Sequence, residues 1–120
     1  MALTREYIAG LFDGEGSVGL YWSKTRGCFV PRIVIEMKHE TRNIQVLSEI
    51  SKMYGTKVYL GKGICRFRLE SFTKLTRFID DMVDVSRIKT TQLLLLSSWI
   101  ETRTYGFRIS QLLKIHKRRA

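Results

Sequence analysis

Apolar residues recur along this chain in two rhythms, one near helical spacing and one of strict alternation, and the switches between them mark its elements. Tyr7, Ile8, Leu11 and Phe12 fall at helical spacing, with Thr4 placed to cap the helix. Residues 17–23 then alternate, Val18, Leu20 and Trp22 against Ser17, Gly19, Tyr21 and Ser23. Lys24-Thr25-Arg26-Gly27 reads as a basic turn. A second strand, from about Phe29 to His39, sets Ile33, Ile35 and Met37 against Arg32, Val34, Glu36 and Lys38, which predicts a hairpin. Thr41 is placed to cap a helix from about Arg42 to Tyr54, with Ile44, Leu47, Ile50 and Met53 as its apolar stripe and Gly55 at its end.

A second hairpin follows, Lys57–Leu60 and Ile64–Glu70, joined at Gly61-Lys62-Gly63. Val58 and Leu60 alternate with Lys57 and Tyr59, and Cys65, Phe67 and Leu69 with Arg66, Arg68 and Glu70. Ser71 opens a helix carrying Leu75, Phe78, Ile79 and Met82 on one side. A last long helix starts near Lys89 and runs through Gln92, Leu93, Leu96 and Ile100, and a final amphipathic segment spans about Ile109 to Lys117. The order α-β-β-α-β-β-α-α predicts an α+β fold: two hairpins in one antiparallel sheet, with helices over one face. That face should receive Val18, Leu20, Trp22, Ile33, Ile35, Met37, Val58, Leu60, Phe67 and Leu69. The opposite face keeps Tyr21, Ser23, Arg32, Glu36, Lys38, Lys57, Tyr59, Arg66 and Arg68.

The length of 120 residues fits a single domain, residues 1–120, with a basic C-terminal segment over 110–120. A single proline, Pro31, and no low-complexity stretch argue against an internal linker. The formal net charge is +10, from 21 basic and 11 acidic residues, and makes a polyanion such as nucleic acid the natural partner. Two cysteines, Cys28 and Cys65, suggest neither a disulfide framework nor a zinc site. With no secretory signal, and an apolar run at Leu93–Leu96 too short to span a bilayer, an intracellular protein is expected, in cytoplasm or organelle.

The chemistry concentrates where the first helix ends, at Ile8-Ala9-Gly10-Leu11-Phe12-Asp13-Gly14-Glu15-Gly16. Gly10 costs a helix roughly 1 kcal/mol relative to Ala, and with Ala9 it removes bulk so that another backbone can approach. Gly14 falls four residues later on the same side. Asp13 and Glu15 sit where the helix dipole is already negative, which favours a positive neighbour such as a divalent cation with oxygen ligands. These nine residues resemble the signature of the LAGLIDADG homing endonucleases and stand in register with its nine letters. The small pair, the first acid and the last glycine are kept, and Glu15 stands where Asp is commoner. The helix and strand order from about Thr4 to Trp99 also resembles the family's α-β-β-α-β-β-α domain, with its curved antiparallel sheet.

The resemblance implies a site-specific DNA endonuclease that hydrolyses phosphodiesters with Mg²⁺ and is encoded within an intron. It casts Glu15 as a catalytic metal ligand, assisted by the Gly14 carbonyl. It casts His39 as a polar residue organising water, and Lys89, three residues before Gln92, as the basic group near the scissile phosphate. Double-stranded DNA would lie on the polar sheet face, with Tyr21, Ser23, Arg32, Glu36, Lys38, Lys57, Tyr59, Arg66 and Arg68 towards the bases. Lys24, Arg26, Lys62, Lys114, Lys117, Arg118 and Arg119 would meet phosphates. A single motif implies a homodimer joined through Ala9, Gly10, Asp13 and Gly14, and hence a pseudo-palindromic target. The alternative on the same scaffold is a non-cleaving nucleic-acid binder: an RNA splicing maturase, with host-intron RNA as partner, or a DNA-binding regulator. A basic ribosome-associated protein would leave the glycine-boxed acids unexplained.

Overall fold

Thr4 caps the first helix as its position predicts, accepting the Tyr7 N–H on Oγ1 at 3.1 Å. This helix, α1 (Arg5–Glu15), passes without a linker into β1 (Gly16–Ser23). A Cβ at Gly16 would collide with the ring and carbonyl oxygen of Phe12, so glycine is required at this junction. The computed structural model describes residues 3–119, with side chains to residue 116. The remaining elements are β2 (Cys28–Lys38), α2 (Thr41–Tyr54), β3 (Tyr59–Leu60), β4 (Ile64–Leu69), α3 (Phe72–Met82), α4 (Thr90–Thr102) and α5 (Gly106–Arg119).

The strands form one antiparallel sheet in the order β1-β2-β4-β3. Its register decides which residues share a face. Val18 lies opposite Ile33, which lies opposite Leu69, and this row turns towards the helices. Ser17, Val34 and Arg68 form the neighbouring row on the other face, as do Glu36 and Arg66. The core is the layer between sheet and helices. Ile33, Ile35 and Phe67 meet Ile8 and Phe12 from α1, Leu47 and Ile50 from α2, and Leu75 and Phe78 from α3. Phe78 is its aromatic hub, edge-on to Phe12 at 5.2 Å and against Tyr54 at 5.2 Å. Burial of such rings contributes several kcal/mol each, about 3–5 for a Phe truncated to Ala. Leu93 and Leu96 from α4, and Ile109 and Leu113 from α5, join the same cluster. Helix α5 lies on β1, where Ser110 Oγ donates to the Leu20 carbonyl at 2.6 Å.

Several sequence expectations shift. Thr41 begins α2 and does not cap it. Glu40 takes the cap position without a side-chain bond, and Asn43 Nδ2 instead donates to the Lys38 carbonyl at 2.9 Å. The strand expected over Lys57–Leu60 shortens to Tyr59–Leu60. Gly55, at φ +70°, turns the chain out of α2, and the Thr56 N–H still donates back to Ser51, so pairing starts late. Trp22 and Leu60 alternate correctly but are 49% and 55% exposed: Trp22 lies near the end of β1 with only partial cover from Phe107 of α5, and Leu60 lies on the rim strand β3. The last helix begins at Gly106, three residues before the expected Ile109. Among the described residues no helix is long and apolar enough to cross a membrane. Both cysteines are free, Cys28 exposed and Cys65 buried.

Candidate functional site

The polar sheet face is built from cross-strand pairs. Arg66 on β4 faces Glu36 on β2 in register, donating from Nε at 2.9 Å and Nη2 at 2.5 Å to Oε1. Arg32 donates to Glu70 from Nε at 2.7 Å, with Nη2 2.6 Å from the same oxygen. Each guanidinium also lies near a tyrosine ring, Arg32 over Tyr21 at 5.1 Å and Arg66 over Tyr59 at 5.5 Å. Pairs this exposed contribute only about 0.2–1 kcal/mol to stability, so their main effect is to hold the arginines in fixed orientations. Arg68 is exposed between them and lines the same hollow. That hollow, about 450 Å³, is bounded by Glu15, Ser17, Tyr21, Arg32, Glu36, Arg66 and Arg68. The structure therefore brings Glu15, at the last turn of α1, to the edge of the arginine-bearing face.

The outer basic residues spread around this face. Lys24 and Arg26 are exposed in the β1–β2 turn, where Ser23 Oγ accepts the Arg26 N–H at 3.2 Å. Lys57 is exposed ahead of β3, and Lys62 is exposed in the β3–β4 turn. Lys38 pairs with Glu40 at 3.5 Å. Lys114 is exposed on α5, whereas the side chains of Lys117, Arg118 and Arg119 lie outside the described residues. His39 is exposed just past β2, its N–H donating to the Gly63 carbonyl at 3.1 Å. It is four positions beyond Ile35, the residue opposite Gly16, so about 13 Å of strand separates it from the Glu15 junction. His39 and Glu15 are thus not neighbours within one chain.

Asp13 departs furthest from its expected role. Its place in the motif predicts an interface acid beside a cation, yet its carboxylate turns inward to the loop before α4. Ser86 Oγ donates to Oδ1 at 2.5 Å, the Arg87 N–H to Oδ2 at 2.8 Å, and the Lys89 N–H to Oδ1 at 3.3 Å. Burial pushes the Asp13 pKa up, but donation from the Arg87 N–H, the Ser86 hydroxyl and the Ile88 and Lys89 N–H groups outweighs it and holds the carboxyl below its ordinary value. The positive neighbour is thus the amino end of another helix and its preceding loop. Lys89 is the N-cap residue of α4, and only 6% of it is exposed. It is tied through Asp13 to the turn that carries Glu15.

The small-residue side of α1 is divided. Ala9 is 1% exposed and belongs to the chain's own core, so it is not available to a partner, contrary to the sequence expectation. Gly10 and Gly14 are exposed, and a Cβ at either would meet nothing within 4 Å. Sequence reading also missed Gly19 and Glu70. A Cβ at Gly19 would strike the Tyr21 ring, so Gly19 seats the tyrosine that lies under Arg32. The only cue was its place in the alternation. Glu70, the Arg32 partner, was visible as a strand-end acid but had no assigned use.

On the sequence expectation that this face reads DNA bases, replacing Arg68 with Ala should cost about 1–3 kcal/mol of target affinity and relax preference at particular base pairs. Arg66→Ala should do at least as much, because it also leaves the Glu36 carboxylate on that face without its partner. Binding selection from a randomised duplex library checks this; an unchanged base preference in both variants would remove them from the recognition set.

The architecture defines a class. This one-sided antiparallel sheet, with a glycine-bearing helix running into its first strand, is the fold of solved homing endonucleases. The chain aligns with I-CvuI at a TM-score of 0.79, with 14% identity, over 93% of this chain and 80% of that one. With I-TnaI the TM-score is 0.69 and the identity 21%, over 96% and 83% of the two chains. With I-CpaMI it is 0.72 at 18% identity, over 92% of this chain but 40% of that one. I-CvuI and I-CpaMI were solved bound to uncleaved DNA. Residues 8–103 match the LAGLIDADG endonuclease family, and the chain belongs to it. Among curated proteins none matches the sequence.

Proposed function

We propose that this chain is a homodimeric, metal-dependent, intron-encoded homing endonuclease that cuts both strands of a long pseudo-palindromic DNA target. The observation that carries this reading is the position of Glu15, at the one junction where the open face of α1 meets the arginine-bearing sheet face. I-CvuI and I-CpaMI, each solved bound to DNA, support DNA as the partner.

The residues fit a hard cation. The Glu15 carboxylate and the Gly14 carbonyl are oxygen donors of the kind Mg²⁺ takes. Among the described residues no three His, Cys, Asp or Glu side chains cluster together. A second copy brought in over Gly10 and Gly14 adds its own Glu15. Bound there, the cation supplies Lewis acidity towards water and the leaving oxygen. The protein's own part is orientation and charge. The sheet arginines fix the duplex, Lys89 stabilises charge developing on the phosphate, and His39 holds water at the end of β2.

Incubating the protein with the intronless form of its host gene, with and without Mg²⁺, tests the reading. Two-strand cleavage only with Mg²⁺ is expected. Tight binding without cleavage would transfer the chain to the non-cleaving alternative, a DNA-binding regulator or, with host-intron RNA as ligand, a splicing maturase.

The dimer has its own test. The space around Gly10 within one chain lets Gly10→Leu fold, and removing an interior helix glycine should even stabilise α1 by up to about 1 kcal/mol. The same side chain blocks close helix approach between copies. Light scattering should show a folded monomer for the variant and a dimer for the wild type. A wild type that stays monomeric both free and on DNA would rule the dimer out.

A further inference from the structure

A second surface lies at the end of the basic sheet face beyond the Glu15 hollow, and none of its rings has a part in the proposed cleavage. Trp22 and Phe29, paired at the far end of the β1–β2 hairpin, meet Phe107 at the start of α5. Trp22 stacks on Phe107 at 6.0 Å with an interplanar angle of 28°, and Phe29 is edge-on to both rings, at 5.1 Å and 4.8 Å. Phe29 also approaches Trp99, and Phe72 lies beside Trp99 at 6.1 Å. This aromatic cluster is not sealed: Phe107 is 68% exposed and Trp22 about half exposed. A contiguous apolar surface of this kind marks an interaction site.

The turn that builds it is held against local preference. Arg103, at φ +56°, and Tyr105, at φ +60°, both adopt left-handed backbone, costly for residues other than glycine. Gly106 then brings α5 so close to Phe29 that a Cβ there would collide with the ring. The outcome is a guanidinium laid on rings, Arg103 3.8 Å over Phe72 and 5.3 Å over Trp99. Its Nε donates to the Ile100 carbonyl at 2.9 Å.

Aromatic faces beside a cation suit two kinds of partner, a protein hot spot or unstacked bases on a phosphate backbone. Charge and continuity decide between them. Among the described residues lining the cleft, Arg103 is the charged one, and there is no acid. Trp22 borders both this cleft and the hollow formed with Arg26, Arg32 and Arg68, so the rings continue directly into the basic sheet face. The chain as a whole carries +10. Paired bases hide their faces in the duplex stack, so rings presented this way are usable only by unpaired ones.

We infer that the exposed Trp22 and Phe107 rings, backed by Phe29 and the buried Trp99, form a stacking site for single-stranded nucleic acid, with Arg103 meeting the backbone. This site is independent of cleavage and stands whether or not the endonuclease reading does.

Both tryptophans of the chain, Trp22 and Trp99, lie in the cleft, so intrinsic tryptophan emission reports on it directly. The full-length protein is titrated in EDTA with four probes: a 12-mer of U, a 12-mer of dT, an abasic 12-mer of equal charge, and a 12-base-pair duplex. Saturable quenching by U or dT, absent with the abasic strand, is expected, and the tighter of the two identifies RNA or DNA as the source. Phe107→Ala should weaken that strand at least fivefold while leaving duplex affinity within twofold. Arg103→Asn, which suits left-handed backbone, should weaken it and flatten its salt dependence. Equal binding of the abasic strand, or a single-strand affinity that neither variant changes, would overturn the inference. So would a wild-type oligomer that Phe107→Ala dissociates, since the rings would then serve contact between copies.

Discussion

Glu15→Gln is expected to abolish cleavage while leaving DNA affinity within about tenfold, roughly 1.4 kcal/mol. The side chain is exposed at the last turn of α1, so the amide perturbs no core contact. What it removes is the anionic oxygen suited to a divalent cation. A second readout separates this from damage to the fold. A carboxylate at a helix C-terminus opposes the macrodipole, so neutralising it should stabilise the free protein by about 0.3–1 kcal/mol. The expected variant is therefore inactive and slightly harder to melt. A plasmid cleavage assay in Mg²⁺, beside a thermal melt, checks both. Full activity in the Gln variant would end the metal-ligand assignment.

Lys89→Met should lower the single-turnover cleavage rate by roughly 10²-fold or more, the scale on which one preorganised electrostatic group acts. Met preserves most of the buried stem and removes the charge. Affinity should change little, because one phosphate contact is a small part of a wide basic surface. The structure adds a partner to this test. Asp13 accepts the Lys89 N–H and fixes the loop from Ser86 onward, so Asp13→Ala should slow the same step by releasing the lysine's backbone. Rates on saturated DNA, set against dissociation constants for each variant, decide the matter. Weakened binding with an unchanged rate would make Lys89 a backbone anchor.

The elements of this fold were legible because their periodicities are clean. The α1 stripe, the two hairpins and the α2 and α3 faces all follow from spacing, and the Arg66–Arg68 row follows from alternation. Alternation assigns a side chain to a face but does not say where the covering layer stops, which is why Trp22 and Leu60 were placed in the core. Asp13 failed for a different reason. Its donors lie more than 70 residues away, and the local sequence contains only the unfavourable carboxylate, not the helix end that compensates it. Ala9 and Gly10 are adjacent small residues, and only the packed structure separates the one inside the chain from the one left open. The Arg32–Glu70 and Arg66–Glu36 pairs were hidden likewise, since strand register is a property of the assembled sheet.

The position of α5 on β1 bears on how copies of this chain behave when crowded together. A sheet with two bare rims is a template on which further strands accrete, the first step towards fibrils. Here one rim strand, β1, is overlaid by α5, and the Ser110 hydroxyl occupies the Leu20 carbonyl that an incoming strand would need. The other rim strand, β3, is two residues long, too short to nucleate an extended ladder. A strongly paired sheet is thereby kept from growing sideways, and α5 acts as a guard against self-templated aggregation.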